Sequence, residues 1–420
     1  MKGSVYKRCS SCGRNVNGRQ CATCGTSNTN WAFRTYIGKD ADGRWIEERR
    51  GGFATKREAE RALTEVAASV VQGAYVRTST RTLAEYLRAE WLPATAPPRV
   101  RYETWDDRRR NLENHVIGRI GGVTLQQLTA AHLNRLYGEL LADGRVNGAG
   151  GLSPTSVRRI HAMLRKALND AVRWGLLERN VALTADPPSM RAVRAARRRT
   201  MHTWTDAELR TFLAGTEHHP LHSLWVATAF TGLRRSEVLG LRWPDIDLHG
   251  AVLAVRATVV PGPDGYQLIE DHKSADSART IHLDAHTVAV LKRHRRTVNA
   301  ACAAAGVAWH DHRLVFPTDD GSWWNPPAIT VAFQRAVKAT GVPAIRLHDV
   351  RHTHATLLLR SGVNPKVVSE RLGHSSVAFT LDTYAHVMPG MQPEAAELFR
   401  RLIIEPDADP DDPDDEDDLD

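Results

Sequence analysis

The stretch from Leu83 to Leu183 is patterned for helices, and this pattern constrains the fold more than any other feature of the chain. Apolar residues recur there at helical spacing in four segments, which are Leu83–Leu92, Trp105–Val116, Ala130–Leu141 and Pro154–Leu176. Pro93 and the pair Pro97-Pro98 separate the first two segments. Ser153 precedes a proline that suits the first turn of the last segment. We therefore expect a compact helical domain over residues 78–183.

The residues before this domain are patterned for a small sheet and one helix. Residues 31–50 alternate between apolar and polar side chains on either side of a turn at 40–43, which predicts a β-hairpin that Gly51-Gly52 breaks. Thr55 and Glu58 have the spacing of a capping box and predict a helix through Val71. We expect a sheet-plus-helix domain at 31–76. Its arginines could contact DNA, although a solvated charged sheet would have the same pattern.

Mixed elements follow a break at 184–200, where prolines and arginines cluster and indicate a basic linker. Helices are expected at 205–215 and 220–230, strands near 251–260, 266–272 and 278–283, and further helices to about 402. The predicted fold class is multidomain α+β. It combines an N-terminal Cys-rich motif, the small sheet-plus-helix domain, the all-α domain, and a mainly helical domain with a small antiparallel sheet at 201–403.

Charge divides the chain into a basic body and an acidic end. The net charge is +8, yet residues 404–420 hold eleven acidic residues and no basic ones, so the rest has 56 basic residues against 37 acidic ones. Such a body favours a polyanionic partner such as a nucleic acid. A protein whose isoelectric point is merely high is the alternative. The acidic end contains three prolines and is expected to be disordered.

Four of the five cysteines form two CxxC pairs near the N-terminus, Cys9 with Cys12 and Cys21 with Cys24. Two such pairs can supply four thiolates to a tetrahedral zinc ion, which predicts a zinc-ribbon-like motif at 1–30. Two loops with free thiols are the alternative. Cys302 is expected to be a small buried hydrophobe. No apolar run has the length of a signal peptide or membrane span, so we expect a cytoplasmic protein without disulfides.

Several basic residues after position 200 stand in contexts that suit phosphate chemistry. Gly232 ends an apolar helix, so that Arg234 projects from a turn with Glu237 three residues further on. An arginine fork can clamp two phosphate oxygens. Lys273 is expected at the tip of a hairpin formed by the strands at 266–272 and 278–283, where it could reach a minor groove. Each of these signals is weak alone.

Two histidines and an arginine share one predicted helix near residue 350. His348 and Arg351 are three residues apart and therefore lie on one helical face. His348 and His352 have the i, i+4 spacing of zinc proteases, but Asp349 occupies the position of the general-base glutamate. We therefore expect no metal at this pair.

Two further residues complete an ordered set. His374 follows Leu372-Gly373, and Tyr384 comes ten residues later. The order and spacing of Arg234, Lys273, His348, Arg351, His374 and Tyr384 resemble the active-site set of the tyrosine recombinase (phage integrase) family. The resemblance covers residues 200–390 well and 80–180 more loosely. The N-terminal region is similar to arm-binding domains of integrases from actinobacterial phages and integrative elements.

The resemblance implies a role for each residue. Tyr384 would be the nucleophile that forms a 3′-phosphotyrosyl bond, with His348 as the base that takes its proton. Arg234, Arg351 and His374 would neutralise charge on the phosphate, and Glu237 would support them. Lys273 would protonate the departing 5′ oxygen. Neither ATP nor a divalent metal would be needed for catalysis, because the phosphotyrosyl bond conserves the energy of the broken linkage.

The resemblance also implies the partners of the chain. Residues 31–76 would bind arm-type sites, 78–183 would bind core-type sites, and together with the catalytic domain they would clamp double-stranded DNA. A homotetramer would act through a Holliday junction in a bacterial nucleoid, to integrate or excise a mobile element. An excisionase and a host bending protein are possible further partners. A helix around 394–403 would pack against a neighbouring protomer through its hydrophobic residues Leu398, Phe399, Leu402 and Ile403.

Two other functions are compatible with the same sequence. A type IB topoisomerase or a resolvase would share the chemistry but differ in whether strands are exchanged, and the N-terminal modules favour an integrase over a topoisomerase. A non-catalytic DNA-binding regulator would need the basic surface but would have no use for Tyr384 and its partners.

Overall fold

The structure is a computed structural model that describes residues 3–18, 20–39, 42–72, 75–200, 202–270, 279–384 and 392–404. The chain divides into two compact units, Met1–Arg199 and Thr200–Asp420. Part of the predicted turn at 40–43, the segment around Lys273 and the acidic end fall outside the described residues. Within the described part of the chain, we find no helix that is both long and apolar enough to cross a membrane.

The N-terminal part of the first unit is a three-stranded antiparallel sheet with one helix. The strands are β1 (Ser4–Cys9), β2 (Thr29–Lys39) and β3 (Trp45–Phe53), in the order β1-β2-β3. Helix α1 (Lys56–Val71) begins at a capping box, because the Thr55 hydroxyl accepts the Glu58 backbone N–H and the Glu58 carboxylate accepts the Thr55 backbone N–H. The predicted hairpin and helix are confirmed, whereas the sequence analysis had no strand at β1.

The predicted break at Gly51-Gly52 is wrong, since β3 continues through both glycines to Phe53. Gly51 lies opposite Ala32 in the sheet, and a Cβ atom on Gly51 would come 3.3 Å from the Cβ atom of Ala32. Gly52 has a φ of +95°, a conformation that glycine adopts without strain. Gly51 therefore allows the close approach of the strands and Gly52 allows an irregular backbone conformation, and neither ends the strand.

The rest of the first unit is helical, as predicted. Helix α2 comprises Leu83–Glu85, a π-helical stretch Tyr86–Trp91 and Leu92–Ala94; α3 comprises Tyr102–Leu112, a π-helical stretch Glu113–Ile117 and Gly118–Ile120; α4 is Ala130–Asp143 and α5 is Pro154–Arg173. The Ser153 hydroxyl caps α5, with Pro154 in its first turn. One continuous apolar core joins the four helices, and the Trp91 indole inside it donates to Asp170 at 2.9 Å.

The basic segment at 184–200 is helical in its second half. After a short 3₁₀ turn at Val181–Thr184, helix α6 runs over Met190–Thr200. It follows Pro187-Pro188, and the Ser189 hydroxyl accepts the backbone N–H of Ala192. The prolines thus delay the start of the helix but do not prevent one, because they lie before its first turn.

The second unit is mainly helical with two small sheets. Its helices are α7 (Asp206–Gly215), α8 (His222–Thr231), α9 (Arg235–Leu239), α10 (Ala285–Ala305), α11 (Pro326–Thr340), α12 (Leu347–Arg360), α13 (Pro365–Leu372), α14 (Val377–Tyr384) and α15 (Gln392–Ile404). Its core centres on an aromatic cluster in which Trp204, Phe212, Trp225 and Phe333 pack with ring centroids 4.9–5.9 Å apart.

The strand pairing of the second unit differs from the predicted one. The strands are β4 (Ile246–Asp247), β5 (Val252–Val255), β6 (Thr258–Gly262), β7 (Gly265–Ile269) and β8 (Arg279–His282). Strand β6 pairs with β7 around a two-residue turn at Pro263-Asp264, while β8 pairs with β5. The strand expected at 251–260 is therefore two strands, β5 and β6. The hairpin expected between 266–272 and 278–283 is wrong, because the Pro-Asp-Gly turn pairs β7 with β6, the strand directly before it. Lys273 itself lies outside the described residues.

Candidate active site

Two arginines are held against the same pair of turns. Helix α8 ends at Gly232, whose φ is +65°, and Arg234 immediately precedes α9. Its guanidinium donates from Nη1 to Glu237 Oε1 at 2.6 Å and from Nη2 to the Gly373 carbonyl at 2.8 Å. Arg351 on α12 donates from Nη1 to the Gly232 carbonyl at 2.8 Å and from Nη2 to the Leu372 carbonyl at 2.6 Å.

Arg351 is buried, and neither of its two hydrogen-bond acceptors carries a charge. Its side chain is held by uncharged carbonyls, and burial together with the positive charge of Arg234 lowers the pKa of Arg351 to about 9. It is still protonated at neutral pH, so the site keeps a concentrated positive charge. Two arginine side chains at one site can bind the non-bridging oxygens of a phosphate diester.

Glu237 and Arg279 form the support behind Arg234. Glu237 is buried, and Arg279 donates to both of its oxygens at 3.1 and 2.9 Å. Burial alone would raise the pKa of Glu237, but Arg279 and Arg234 outweigh it and lower that pKa to about 2. Arg279 also donates from Nε to the Arg371 carbonyl at 2.8 Å. The sequence analysis missed Arg279, since an arginine at the start of a strand carries no motif of its own.

Tyr384, the last residue of α14, is fully buried. Its hydroxyl lies 2.6 Å from Nδ1 of His352, and the His348 ring packs edge-on against the His352 ring at 5.0 Å between centroids. Burial, followed by the proximity of His348, lowers the pKa of His352 to about 4, so its ring is neutral at pH 7. The histidine that contacts the tyrosine is therefore His352, whereas the sequence analysis assigned that position to His348. The i, i+4 spacing had singled out His352, but only for a metal.

His374 lies on the other side of the tyrosine. Its ring is parallel to that of Tyr384, with an interplanar angle of 13° and 6.5 Å between centroids. Its Nδ1 atom is 2.7 Å from the Thr380 hydroxyl, which fixes the ring orientation. Burial and the charges of Arg351 and Arg234 lower the pKa of His374 to about 3. The structure thus brings together Arg234, Glu237, His348, Arg351, His374 and Tyr384, with Lys273 outside its described part.

The four N-terminal cysteines form a separate cluster. Their sulfur atoms all lie within 4.8 Å of one another, with Cys9 and Cys24 at 3.4 Å and Cys12 and Cys21 also at 3.4 Å. Sulfurs around a tetrahedral zinc ion, each about 2.3 Å from the metal, would be about 3.8 Å apart. The geometry therefore fits a metal ion. Cys302 lies on α10 and is half-buried.

Comparisons with known proteins agree with this architecture. Residues 207–390 match the phage integrase family, 82–141 match the N-terminal SAM-like domain of phage integrases, and 22–70 match an arm DNA-binding domain. A tyrosine recombinase XerC-like protein of Caldanaerobacter subterraneus subsp. tengcongensis is 27% identical over 88% of this chain and 95% of its own length. An integrase of Streptomyces ambofaciens is 28% identical over 84% of this chain and 88% of its own length.

A solved structure has a similar fold. The Tn1549 transposon integrase, in complex with a circular intermediate DNA, matches 76% of this chain and 99% of its own with a TM-score of 0.60 and 19% sequence identity. At this identity the similarity concerns the fold alone.

Proposed function

The chain belongs to the phage integrase family, and from this premise we propose that it is a site-specific DNA recombinase that integrates and excises a mobile element. The observation that carries the proposal is the buried Tyr384, whose hydroxyl contacts a neutral histidine in the same site as two carbonyl-held arginines. Each of these groups meets a need of phosphoryl transfer, in which a nucleophile is activated and charge on the phosphate is stabilised.

Strand cleavage would begin with attack of the Tyr384 oxygen on the scissile phosphorus. His352 Nδ1 accepts the hydroxyl proton as the new O–P bond forms, and the bond from phosphorus to the 5′ oxygen of the next nucleotide breaks. That oxygen takes a proton, for which Lys273 is the proposed donor, and leaves as a 5′-hydroxyl. His348, the base that the resemblance implied, would support His352 through the contact between their rings.

The arginines and His374 would stabilise the transition state. Charge builds on the non-bridging oxygens as phosphorus is attacked, and Arg234 and Arg351 carry permanent charge at a preorganised position. His374 is neutral at pH 7 and would act as a hydrogen-bond donor. Rejoining is the reverse reaction, in which a 5′-hydroxyl attacks the phosphotyrosyl bond and Tyr384 recovers its proton. Two exchanges separated by a Holliday junction would recombine two duplexes.

The decisive experiment is covalent capture on DNA without metal or ATP. A nicked duplex that carries a candidate attachment site is incubated with the wild type, Tyr384→Phe, His352→Gln and His348→Gln, and adducts are separated by denaturing electrophoresis. We expect an adduct with the wild type, none with Tyr384→Phe, and a larger loss of rate for His352→Gln than for His348→Gln. A bound site without any adduct would favour the DNA-binding regulator, and relaxation of supercoiled DNA without strand exchange would favour the topoisomerase.

The cysteine cluster is proposed to hold a structural zinc ion. Cys9, Cys12, Cys21 and Cys24 would be its four ligands, and zinc would supply no chemistry to catalysis. The protein would work in the cytoplasm of a bacterial host, on double-stranded attachment sites of core and arm types. Synapsis of two sites implies a tetramer on DNA. An excisionase and a host bending protein are further proposed partners.

A further inference from the structure

Strand β1 lies outside the match to the arm DNA-binding domain. The match to that domain begins at residue 22 and therefore covers β2, β3 and α1 but not β1. It also leaves out three of the four clustered cysteines, Cys9, Cys12 and Cys21. Nevertheless β1 pairs with β2 over its whole length, from Ser4 opposite Arg34 to Cys9 opposite Thr29.

Packing alone anchors β1 weakly. Among its six residues, Cys9 is the one that is buried, while Val5, Tyr6 and Lys7 are half-buried. Cys9 belongs to a core of three buried residues, which it forms with Val16 and Cys21. A core of this size cannot offset the conformational entropy of ordering the loop around it without a crosslink or metal.

The cysteine cluster lies in the loop that connects β1 to β2. The first CxxC turn begins at the last residue of β1, and the second ends five residues before β2. Each turn is closed by a glycine N–H, from Gly13 to the Cys9 carbonyl at 3.0 Å and from Gly25 to the Cys21 carbonyl at 2.9 Å. A metal bound by both turns would therefore order this loop and hold the strand ends that it connects, Cys9 and Thr29, in register.

Strand β1 adds a row of side chains to the exposed face of the sheet. Ser4, Tyr6 and Arg8 alternate onto one face. Arg34 of β2 donates to the Ser4 hydroxyl at 3.0 Å and lies opposite Arg49 of β3, so these residues share that face. Arg8, Arg34 and Arg49 are all exposed.

The first cysteine turn also positions Arg8. The Arg8 guanidinium donates from Nε to the Gly13 carbonyl at 2.8 Å, and Gly13 directly follows Cys12. An ordered cysteine turn therefore also fixes the position of the Arg8 side chain on the exposed face.

We propose that zinc binding at the four cysteines holds β1 in the sheet and thereby completes an arginine-bearing surface that contacts the DNA backbone. This proposal rests on the proposed function, because it takes the sheet to be a DNA-binding surface. Metal loading then sets the affinity of the N-terminal domain for DNA and leaves the cleavage chemistry of Tyr384 unchanged.

The test uses the full chain, with Cys12→Ser/Cys24→Ser as the variant and Cys302→Ser as the matched control. Zinc per chain is measured on the purified proteins, and hydrogen exchange is followed in the peptides of β1 and β2. Affinity is measured on a short random-sequence duplex over a series of salt concentrations, and adduct formation on the nicked candidate site.

We expect about one zinc per chain in the wild type and the control, and little in the double variant. In that variant, β1 should lose its protection while β2 keeps most of its own. Affinity should fall about tenfold, and the slope of log affinity against log salt should decrease by about one for each DNA phosphate that the variant no longer binds. At saturating DNA, where weaker binding no longer limits the reaction, the adduct should form at the wild-type rate.

Other outcomes would overturn the proposal in distinguishable ways. Loss of zinc with a protected β1 and unchanged affinity would mean that the metal does not hold the strand, although zinc binding itself would stand. A wild-type chain that takes up no zinc would show that the cysteines do not bind the metal on which the proposal depends. Loss of the adduct together with affinity would mean that the effect is not confined to the sheet. No adduct even in the wild type would instead count against the recombinase function.

Discussion

Glu237 is a buried carboxylate that two arginines share. Arg234 binds one of its oxygens, and Arg279 binds both while also donating to the Arg371 carbonyl. Arg279 is therefore a positioning residue. It fixes the carboxylate that orients Arg234 and the turn whose Gly373 carbonyl receives the same arginine.

Substitution of Arg279 should slow cleavage without weakening DNA binding. We expect Arg279→Lys to lower the adduct rate about tenfold or more, because lysine cannot hold both carboxylate oxygens in one plane. Arg256→Lys, at an exposed arginine of the same unit, is the control. The rate is measured at saturating DNA. If Arg279 acts through Arg234, Arg279→Lys should lower the adduct rate little further in a chain that already carries Arg234→Ala. Fully additive losses of rate would contradict this explanation.

His354 should make the catalytic unit sensitive to acid. Its Nδ1 atom contacts the Ala229 carbonyl at 2.9 Å, and its Nε2 atom accepts from Arg371 Nε at 3.2 Å, so the ring must be neutral. Burial, with the charge of Arg371, lowers the pKa of His354 to about 4. The unfolded chain therefore binds a proton that the folded chain excludes, and stability should be lost as pH falls from about 6.5 towards 4.

The measurement is unfolding by urea from about pH 7.5 to about pH 5. One excluded proton contributes up to about 1.4 kcal/mol per pH unit to this dependence. His354→Gln, which keeps a donor and an acceptor, should reduce the pH dependence by that amount. His218→Gln, at an exposed histidine, should leave it unchanged. An identical pH dependence in both variants would show that His354 is not the group responsible.

At the scale of elements, helix caps were predicted more reliably from the sequence than strand ends and strand pairings. The caps at Thr55 and Ser153 and the left-handed Gly232 act within a few residues, so the sequence predicts them directly. The partner of β8 depends on a turn about fifteen residues upstream, at Pro263-Asp264, which pairs β7 with β6. Strand β1 escaped prediction because its buried residue is a cysteine and its two other apolar residues, Val5 and Tyr6, are adjacent and do not alternate with polar ones.

The candidate site shows the same division. The order of arginines, histidines and tyrosine along the chain carries a family resemblance, and the structure brings these residues together. The contact between His352 and Tyr384 depends on how α12 and α14 pack, and helical periodicity places His348 and His352 on one face without choosing between them. Arg279 has its function through Glu237, which is more than forty positions away in the sequence.

Gly232 ends α8 beside the site, and its replacement by alanine should lower the free energy of unfolding by more than backbone strain alone would. A Cβ atom there would lie 2.7 Å from Leu372 Cδ2 and 2.8 Å from His354 Cδ2. Gly341, with a φ of +73° and nothing within 4 Å of such an atom, is the matched control. By urea unfolding, we expect Gly341→Ala to cost about 1–2 kcal/mol and Gly232→Ala clearly more, with a slower adduct rate. Equal losses of unfolding free energy in the two variants would mean that Leu372 and His354 move aside without a measurable energetic cost.

At the scale of the whole molecule, the last described helix, α15, exposes an apolar surface. Phe399, Leu402, Ile403 and Ile404 on α15 are each more than 60% exposed. Four large apolar residues on one short helix are unusual for a solvated surface. We propose, as the family resemblance implies, that this helix docks on a neighbouring protomer.

Removal of α15 should prevent assembly but not DNA binding. A chain that lacks residues 392–420 is compared with one that lacks only 405–420, by sedimentation on a synthetic Holliday junction. We expect tetramers from the shorter deletion and, at most, lower assemblies from the longer one, because the apolar area of α15 is then absent. Tetramers from both would assign assembly to another surface.

The cradle of the two arginines is made of backbone. The carbonyls of Gly232, Leu372 and Gly373 receive them, and any amino acid supplies a carbonyl. A substitution that shifts the main chain at one of these positions would therefore displace an arginine that it does not otherwise contact, and this applies most at Gly232 and Gly373, whose positive φ favours glycine.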